Sequence, residues 1–179
     1  MTTDHPNILL LSGTARNVGK TTFVCKILRH FERHRIITVK VSPHWHEVKQ
    51  GNILIHDPGS LMLVRETVTD SYKDTSRMLR CGAHKVFYLQ HTSDEALLKG
   101  FHYLMDTADR NLPMICETAV LGKYIKPGLH FRITSTNAEP SRKRMIDVPI
   151  DQLINFDGND FDLSPNSISL YDNRWSLKR

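Results

Sequence analysis

The 179 residues, 40% hydrophobic and 24% charged, suit one ordinary globular domain with a full core. No apolar run approaches the roughly 20 residues that span a bilayer, and the polar start MTTDHPN has no secretory pattern, so a cytoplasmic protein without a membrane partner is expected. A net charge of +5 and a pI of about 9.2 favour nucleotides or acidic metabolites. The one basic cluster, Ser141-Arg142-Lys143-Arg144, lacks the interleaved aromatics of a nucleic-acid module and reads as a solvated loop, which argues against nucleic acid as a partner.

Asn7 to Ser12 is a short apolar run, suited to a strand buried on both faces. Next comes Gly13-Thr14-Ala15-Arg16-Asn17-Val18-Gly19-Lys20-Thr21-Thr22, which ends as a phosphate-binding loop ends. Five residues separate its glycines, against four in the common GxxxxGK[ST] pattern. Phe23, Val24, Ile27, Leu28 and Phe31 then recur at helical intervals. Strand, glycine-bearing turn and helix are the context that phosphate binding needs. N–H groups at a helix start lack internal partners and point at an anion. Gly13, Arg16, Asn17, Val18, Gly19, Lys20, Thr21 and Thr22 are thus candidate nucleotide-binding residues. Lys20 would reach the β- and γ-phosphates and the Thr21 hydroxyl would bind Mg²⁺. The expected ligands are Mg²⁺ and a nucleoside triphosphate, GTP or ATP.

Arg35 to Val41 is β-rich and Pro43 ends it. Lys40, near the end of that run, is a candidate catalytic cation facing the loop. His44 and His46 alternate and can share a face, but no third ligand at metal-binding spacing accompanies them. Ile53-Leu54-Ile55 and Leu61 to Val64 flank Pro58-Gly59, which predicts a hairpin within Asn52 to Thr67 that projects from the sheet and covers or extends the site. Its apolar faces need a partner: the domain itself, a second copy of the chain in a homodimer, or an acceptor protein.

Lys73 to Cys81 reads as a helix stopped by Gly82. Lys85 to Leu89 is a strand, and Ser93 caps a helix running to about Asp109. Leu112 to Cys116 is a short buried strand ending in Glu117, an acid placed to hold Mg²⁺ through water or to polarise an attacking water. Phe131 to Thr134 reads as a strand, Ile146 to Ile150 as a weaker one and Ile168 to Tyr171 as a last edge strand. Asn137 follows the 131–134 strand, where its side chain either pairs with a purine edge or serves a plain turn. The alternation predicts an α/β fold, a three-layer P-loop NTPase with a mainly parallel sheet, as a single domain over 1–179. Ser12, Lys40 and Glu117 fall near the strands' carboxyl ends, where such sheets bind ligands.

Four segments together resemble the molybdopterin-guanine dinucleotide biosynthesis adaptor family, MobB. They are the glycine loop with its strand, Val39-Lys40-Val41-Ser42-Pro43-His44-Trp45-His46, Lys73-Asp74-Thr75-Ser76-Arg77 with Cys81-Gly82-Ala83, and Ile115-Cys116-Glu117 with Tyr124-Ile125-Lys126-Pro127-Gly128. The resemblance spans about Ile8 to Ile133 in the family's order. It implies GTP with Mg²⁺, a slow NTPase or assembly factor, and a partner protein of molybdenum cofactor biosynthesis. By that likeness Lys20, Thr21 and Glu117 serve nucleotide and metal, and Asp74 lies near the site and joins the candidate metal set. The chain departs from the family in its longer glycine spacing, in Thr118 after Glu117 and in the insertion Asn52 to Thr67. The glycine spacing is itself similar to that of dethiobiotin synthetase, with Ala15-Arg16 in place of Asp-Thr. That likeness implies a different activity, an ATP-dependent small-molecule ligase or kinase in which Lys40 contacts the substrate's carboxylate or carbamate. A binding module with nucleotide as a purely structural ligand is a third reading.

Overall fold

The computed structural model describes residues 2–48, 50–118, 120–136 and 146–178. β1 (Thr3–Gly13) leads through the glycine loop into α1 (Lys20–His30), and β2 (Ile37–Ser42) follows. β3 (Asn52–Asp57) and β4 (Leu61–Arg65) form a hairpin, succeeded by α2 (Asp74–Arg80) and β5 (Lys85–His91). Then come α3 (Asp94–Thr107), β6 (Met114–Glu117), β7 (Ile125–Ser135) and β8 (Gln152–Phe156). β9 (Ile168–Tyr171) and β10 (Arg174–Leu177) close the chain.

Eight strands make one sheet in the order β3-β4-β5-β2-β6-β1-β7-β8. The pairs from β5 to β8 are parallel, and the two pairs made by β4 are antiparallel. The apolar run of β1 explains its central place. Leu9 and Leu11 point into a core shared with Phe23, Val24, Ile27 and Leu28 of α1. Ile8 and Leu10 point into a second core with Leu97, Phe101 and Leu104 of α3. The sheet is therefore covered on both faces, as a buried parallel sheet requires.

Local chemistry fixes the helix ends. Ser93 Oγ accepts from the Ala96 N–H at the start of α3, and Asp94 and Glu95 complement the helix dipole there. After α2, Gly82 turns left-handed (φ 100°), with Gly82 N–H donating to Leu79 O and Ala83 N–H to Met78 O. This paired closure is the one that a glycine stop predicts.

Three expectations need correction. The hairpin forms around Pro58-Gly59, closed by Ser60 N–H on Asp57 O, but it does not project. β4 pairs with β5 and continues the sheet, because Leu61, Met62, Leu63 and Val64 are all buried and need cover on both faces. Residues 146–150 form no strand. Pro149 lacks an N–H and its carbonyl accepts from the His130 ring, so pairing begins later, at Gln152. Ile168 to Tyr171 is no edge of the main sheet. It pairs with β10 in a separate hairpin on the α1 face, where Ile168 and Trp175 join the core and Trp175 Nε1 donates to Asn7 O.

β7 also starts at Ile125 rather than Phe131 and runs through Lys126-Pro127-Gly128. A Cβ on Gly128 would lie 2.2 Å from Pro6 O, so the two backbones meet too closely for any larger residue.

Candidate functional site

β1, β2 and β6 end together. Leu11 registers with Glu117, and Lys40 registers with the same residue from the other side. The parallel pairing thus brings their carboxyl ends to one edge, beside the start of α1.

The chain crosses from β1 to α1 through two left-handed residues, Asn17 (φ 57°) and Gly19 (φ 93°). Gly19 is the N-cap, and no side chain caps the helix. The first N–H groups of α1 thus keep the donor capacity that helix ends have. A Cβ on Gly19 would stand 2.9 Å from the Phe156 ring, a second reason for glycine there. Val18, one of the candidate nucleotide-binding residues, is fully buried and pins the loop to the core. Lys20 lies back over Gly13, where a Cβ would meet its Nζ at 3.0 Å, and Nζ donates to Ala15 O at 3.3 Å. Burial lowers the Lys20 pKa; Glu117 opposes that shift, Lys40 adds to it and Asp74 opposes it.

Four elements supply the neighbouring cluster. Thr21 on α1 donates to Glu117 Oε2 at 2.9 Å. Lys40 on β2 donates to Glu117 Oε1 at 3.1 Å and to Asp74 Oδ2 on α2 at 2.5 Å. Arg77 sits 3.5 Å from Asp74 Oδ1 and donates to Thr22 Oγ1 at 3.4 Å. Glu117, at the end of β6, is buried. Burial works against the charge on Lys40, but Glu117 and Asp74 outweigh it and raise its pKa. Burial likewise works against the Asp74 carboxylate, and Lys40, Arg77 and Thr21 outweigh it and hold the pKa below the ordinary value. Both groups are therefore charged at neutral pH.

These oxygens suit a hard cation. Mg²⁺ takes one or two protein carboxylates and completes its shell with water and phosphate. Thr21 Oγ1 and Glu117 offer such a partial set; Lys40 bridges Glu117 to Asp74, which Arg77 also pairs. Among the described residues no group of three or more His, Cys, Asp or Glu is placed to hold a metal unaided.

The segment after β2 forms a wall beside this cluster. Arg16 Nη2 reaches His44 Nε2 at 3.3 Å, linking the glycine loop to that segment. Gln90, buried on β5, grips the His46 backbone from both sides, accepting from its N–H at 2.5 Å and donating to its carbonyl at 2.9 Å. The rings of His44 and His46 stand 6.5 Å apart, and no third ligand joins them among the described residues. Beyond the Lys40–Asp74 pair lies a pocket of about 290 Å³ with walls that include Val48, Val64, Glu66, Lys73 and Tyr88.

The structure brings together Gly13, Gly19, Lys20, Thr21, Thr22, Lys40, Asp74 and Glu117, with Arg16 and Asn17 exposed on the loop. Asn137 and the Ser141–Arg144 cluster lie outside the described residues. Sequence reasoning gave no role to Arg77 or Gln90. Asp74 and Arg77 sit three apart on a helix, a spacing that pairs opposite charges. Gln90 is a lone amide in an apolar strand, and a buried amide needs partners. No helix among the described residues is long and apolar enough to cross a membrane. No family model matches the chain, and no curated protein or solved structure matches it.

Proposed function

We propose that the chain is a P-loop protein that binds a nucleoside triphosphate with Mg²⁺, GTP before ATP, and serves as a slow NTPase or assembly factor. The observation that carries this reading is the Thr21–Glu117 hydrogen bond of 2.9 Å at the uncapped start of α1, flanked by Lys20 and Lys40. Hydroxyl and carboxylate together are the protein's share of a Mg²⁺ shell. When bound, the ion neutralises phosphate charge and orients the terminal phosphate.

The chain's own residues do the remainder. N–H groups at the start of α1 bind phosphate oxygens, and Lys20 leaves Ala15 O to reach the outer phosphates. Lys40 neutralises charge at the terminal phosphate while Asp74 and Arg77 keep it in place. Glu117 orients water or metal. The wider role in molybdenum cofactor assembly, with a protein partner from that pathway, rests on the likeness of four segments to the adaptor family.

A calorimetric titration tests the core of the reading. Native protein is expected to bind Mg–GTP or Mg–ATP, and Lys20→Ala to lose that binding with its circular dichroism spectrum unchanged. Equal affinity in the folded variant overturns the proposal. The pocket beside Lys40 favours a second reading, an ATP-dependent small-molecule ligase or kinase. Nucleotide turnover that stays slow and unresponsive across a panel of small carboxylates argues against it.

A further inference from the structure

We propose that the nucleobase of the bound nucleotide seats on Phe156, at the end of β8, and that this aromatic face, not a polar base-reading motif, sets a preference for purine over pyrimidine nucleotides. The inference rests on the triphosphate reading above.

Direction comes first. Thr21, Glu117 and Lys40, the groups suited to metal and terminal phosphate, stand on the β6–β2 side of β1. A triphosphate anchored there and lying along the loop delivers its nucleoside to the opposite side, toward β7 and β8. The loop leans that way. Thr14 N–H donates to Ile133 O at 2.9 Å, and Thr14 Oγ1 to Thr134 Oγ1 at 3.2 Å.

Phe156 meets the loop on that side. Its ring borders Gly19, and it is half-buried. Phe161 stacks on it with centroids 4.6 Å apart and planes 25° apart, and Phe23 of α1 backs Phe161 at 4.8 Å. The turn between them is built tightly. Asp157 Oδ1 accepts from the N–H groups of Asn159 and Asp160 at 2.8 Å each, and Asp160 pairs with Lys26 at 2.5 Å. A partly exposed ring, stacked on Phe161, which Phe23 backs in turn, and bordering the phosphate loop, is preorganised for stacking.

Stacking reads the face of a base rather than its edge. Every base has such a face, so preference is modest and follows ring size. This accounts for a chain that carries a phosphate loop yet lacks an Asn-Lys-x-Asp motif.

The test compares ligands with and without a base. Dissociation constants of Mg–GTP, Mg–ATP, Mg–UTP and Mg–tripolyphosphate are measured for native protein, Phe156→Leu and Phe156→Tyr. Phe156→Leu keeps an apolar side chain in the core but removes the π face. It is expected to weaken both purine nucleotides about 5- to 150-fold, the range of one base–aromatic stack. UTP should lose less, tripolyphosphate should be unchanged, and Phe156→Tyr should bind like the parent. Unchanged purine affinities in Phe156→Leu overturn the base seat and leave the triphosphate reading standing. A parallel loss for tripolyphosphate also overturns it, because the effect then lies in the loop. Native protein that binds none of the four ligands removes the triphosphate reading and this inference with it.

Discussion

Glu117 is gripped by a hydroxyl from α1 and an ammonium from β2, so its carboxylate ties together the two elements that border the proposed phosphate site. Glu117→Gln keeps the shape and removes the charge. It is expected to slow Mg²⁺-dependent hydrolysis more than it weakens nucleotide binding, since in the proposed site the carboxylate acts on metal or water rather than on the base. Equal hydrolysis rates at saturating nucleotide would return Glu117 to a structural role. Asp74 carries a pH signature. Its folded pKa lies below the ordinary carboxylate value, so its contribution to stability is present above about pH 3.9 and fades as pH falls through the lowered folded value. Lys40 has a raised pKa, and its contribution fades only as pH rises past its folded value, above about 10.4. The difference in urea midpoint between parent and Asp74→Asn should therefore be flat from about pH 5 to about pH 9 and shrink below about pH 3.9. A difference that grows on acidification would contradict the ion pair. Lys20, Thr21 and Glu117 were legible in the sequence because a motif and a strand end mark them. The Lys40–Asp74 and Gly19–Phe156 contacts were not, because residues so distant in sequence meet only through strand order.

At the scale of elements, periodicity and caps carried most of the fold. β1 and α1 announced themselves by an unbroken apolar run and a helical repeat, and α2 and α3 by a glycine stop and a serine cap. β8 was missed because Gln152-Leu153-Ile154-Asn155-Phe156 mixes polar and apolar residues at the sheet edge, where only Ile154 is fully buried. The hairpin was legible as a hairpin, but its place was not. Two strands around Pro-Gly look alike whether they stand alone or extend a sheet, and the signal for extension was the fourfold apolar run of β4. Joining the sheet changes what mutation does there. Leu63 is fully buried between β3 and β5, so Leu63→Ala should cost about 2–5 kcal/mol, measured by urea denaturation. Replacing Asn52 to Thr67 with a short Gly-Ser linker should prevent stable folding, because it strips a neighbour from β5. A replacement variant that melts like the parent would show that the sheet ends at β5 in solution.

For the whole molecule, the proposed ligand bridges both halves of the sheet. Lys40 and Asp74 belong to the β2–α2 side, Phe156 to the β8 side, and β1 with its glycine loop runs between them. A ligand held at such a junction binds the folded chain and not the unfolded one, so it must raise the melting temperature by mass action. At a hundredfold excess over Kd the gain is about 2.7 kcal/mol, and for a chain of this size each kcal/mol is worth about 2–4 °C. The expected shift is therefore roughly 5–11 °C with Mg²⁺ and the preferred triphosphate. The positive net charge draws any polyanion, which sets the control. Nonspecific attraction weakens as salt rises and does not depend on Mg²⁺, whereas a site built on Thr21 and Glu117 needs the ion and is screened less. Melting curves with each of the four nucleoside triphosphates, with and without Mg²⁺, at low salt and at about 0.15 M, separate the two. A shift that persists at the higher salt, requires Mg²⁺ and vanishes in Lys20→Ala supports a built nucleotide site. A shift that appears only at low salt and is equal for all four nucleotides without Mg²⁺ means that the glycine loop is a turn between strand and helix and nothing more.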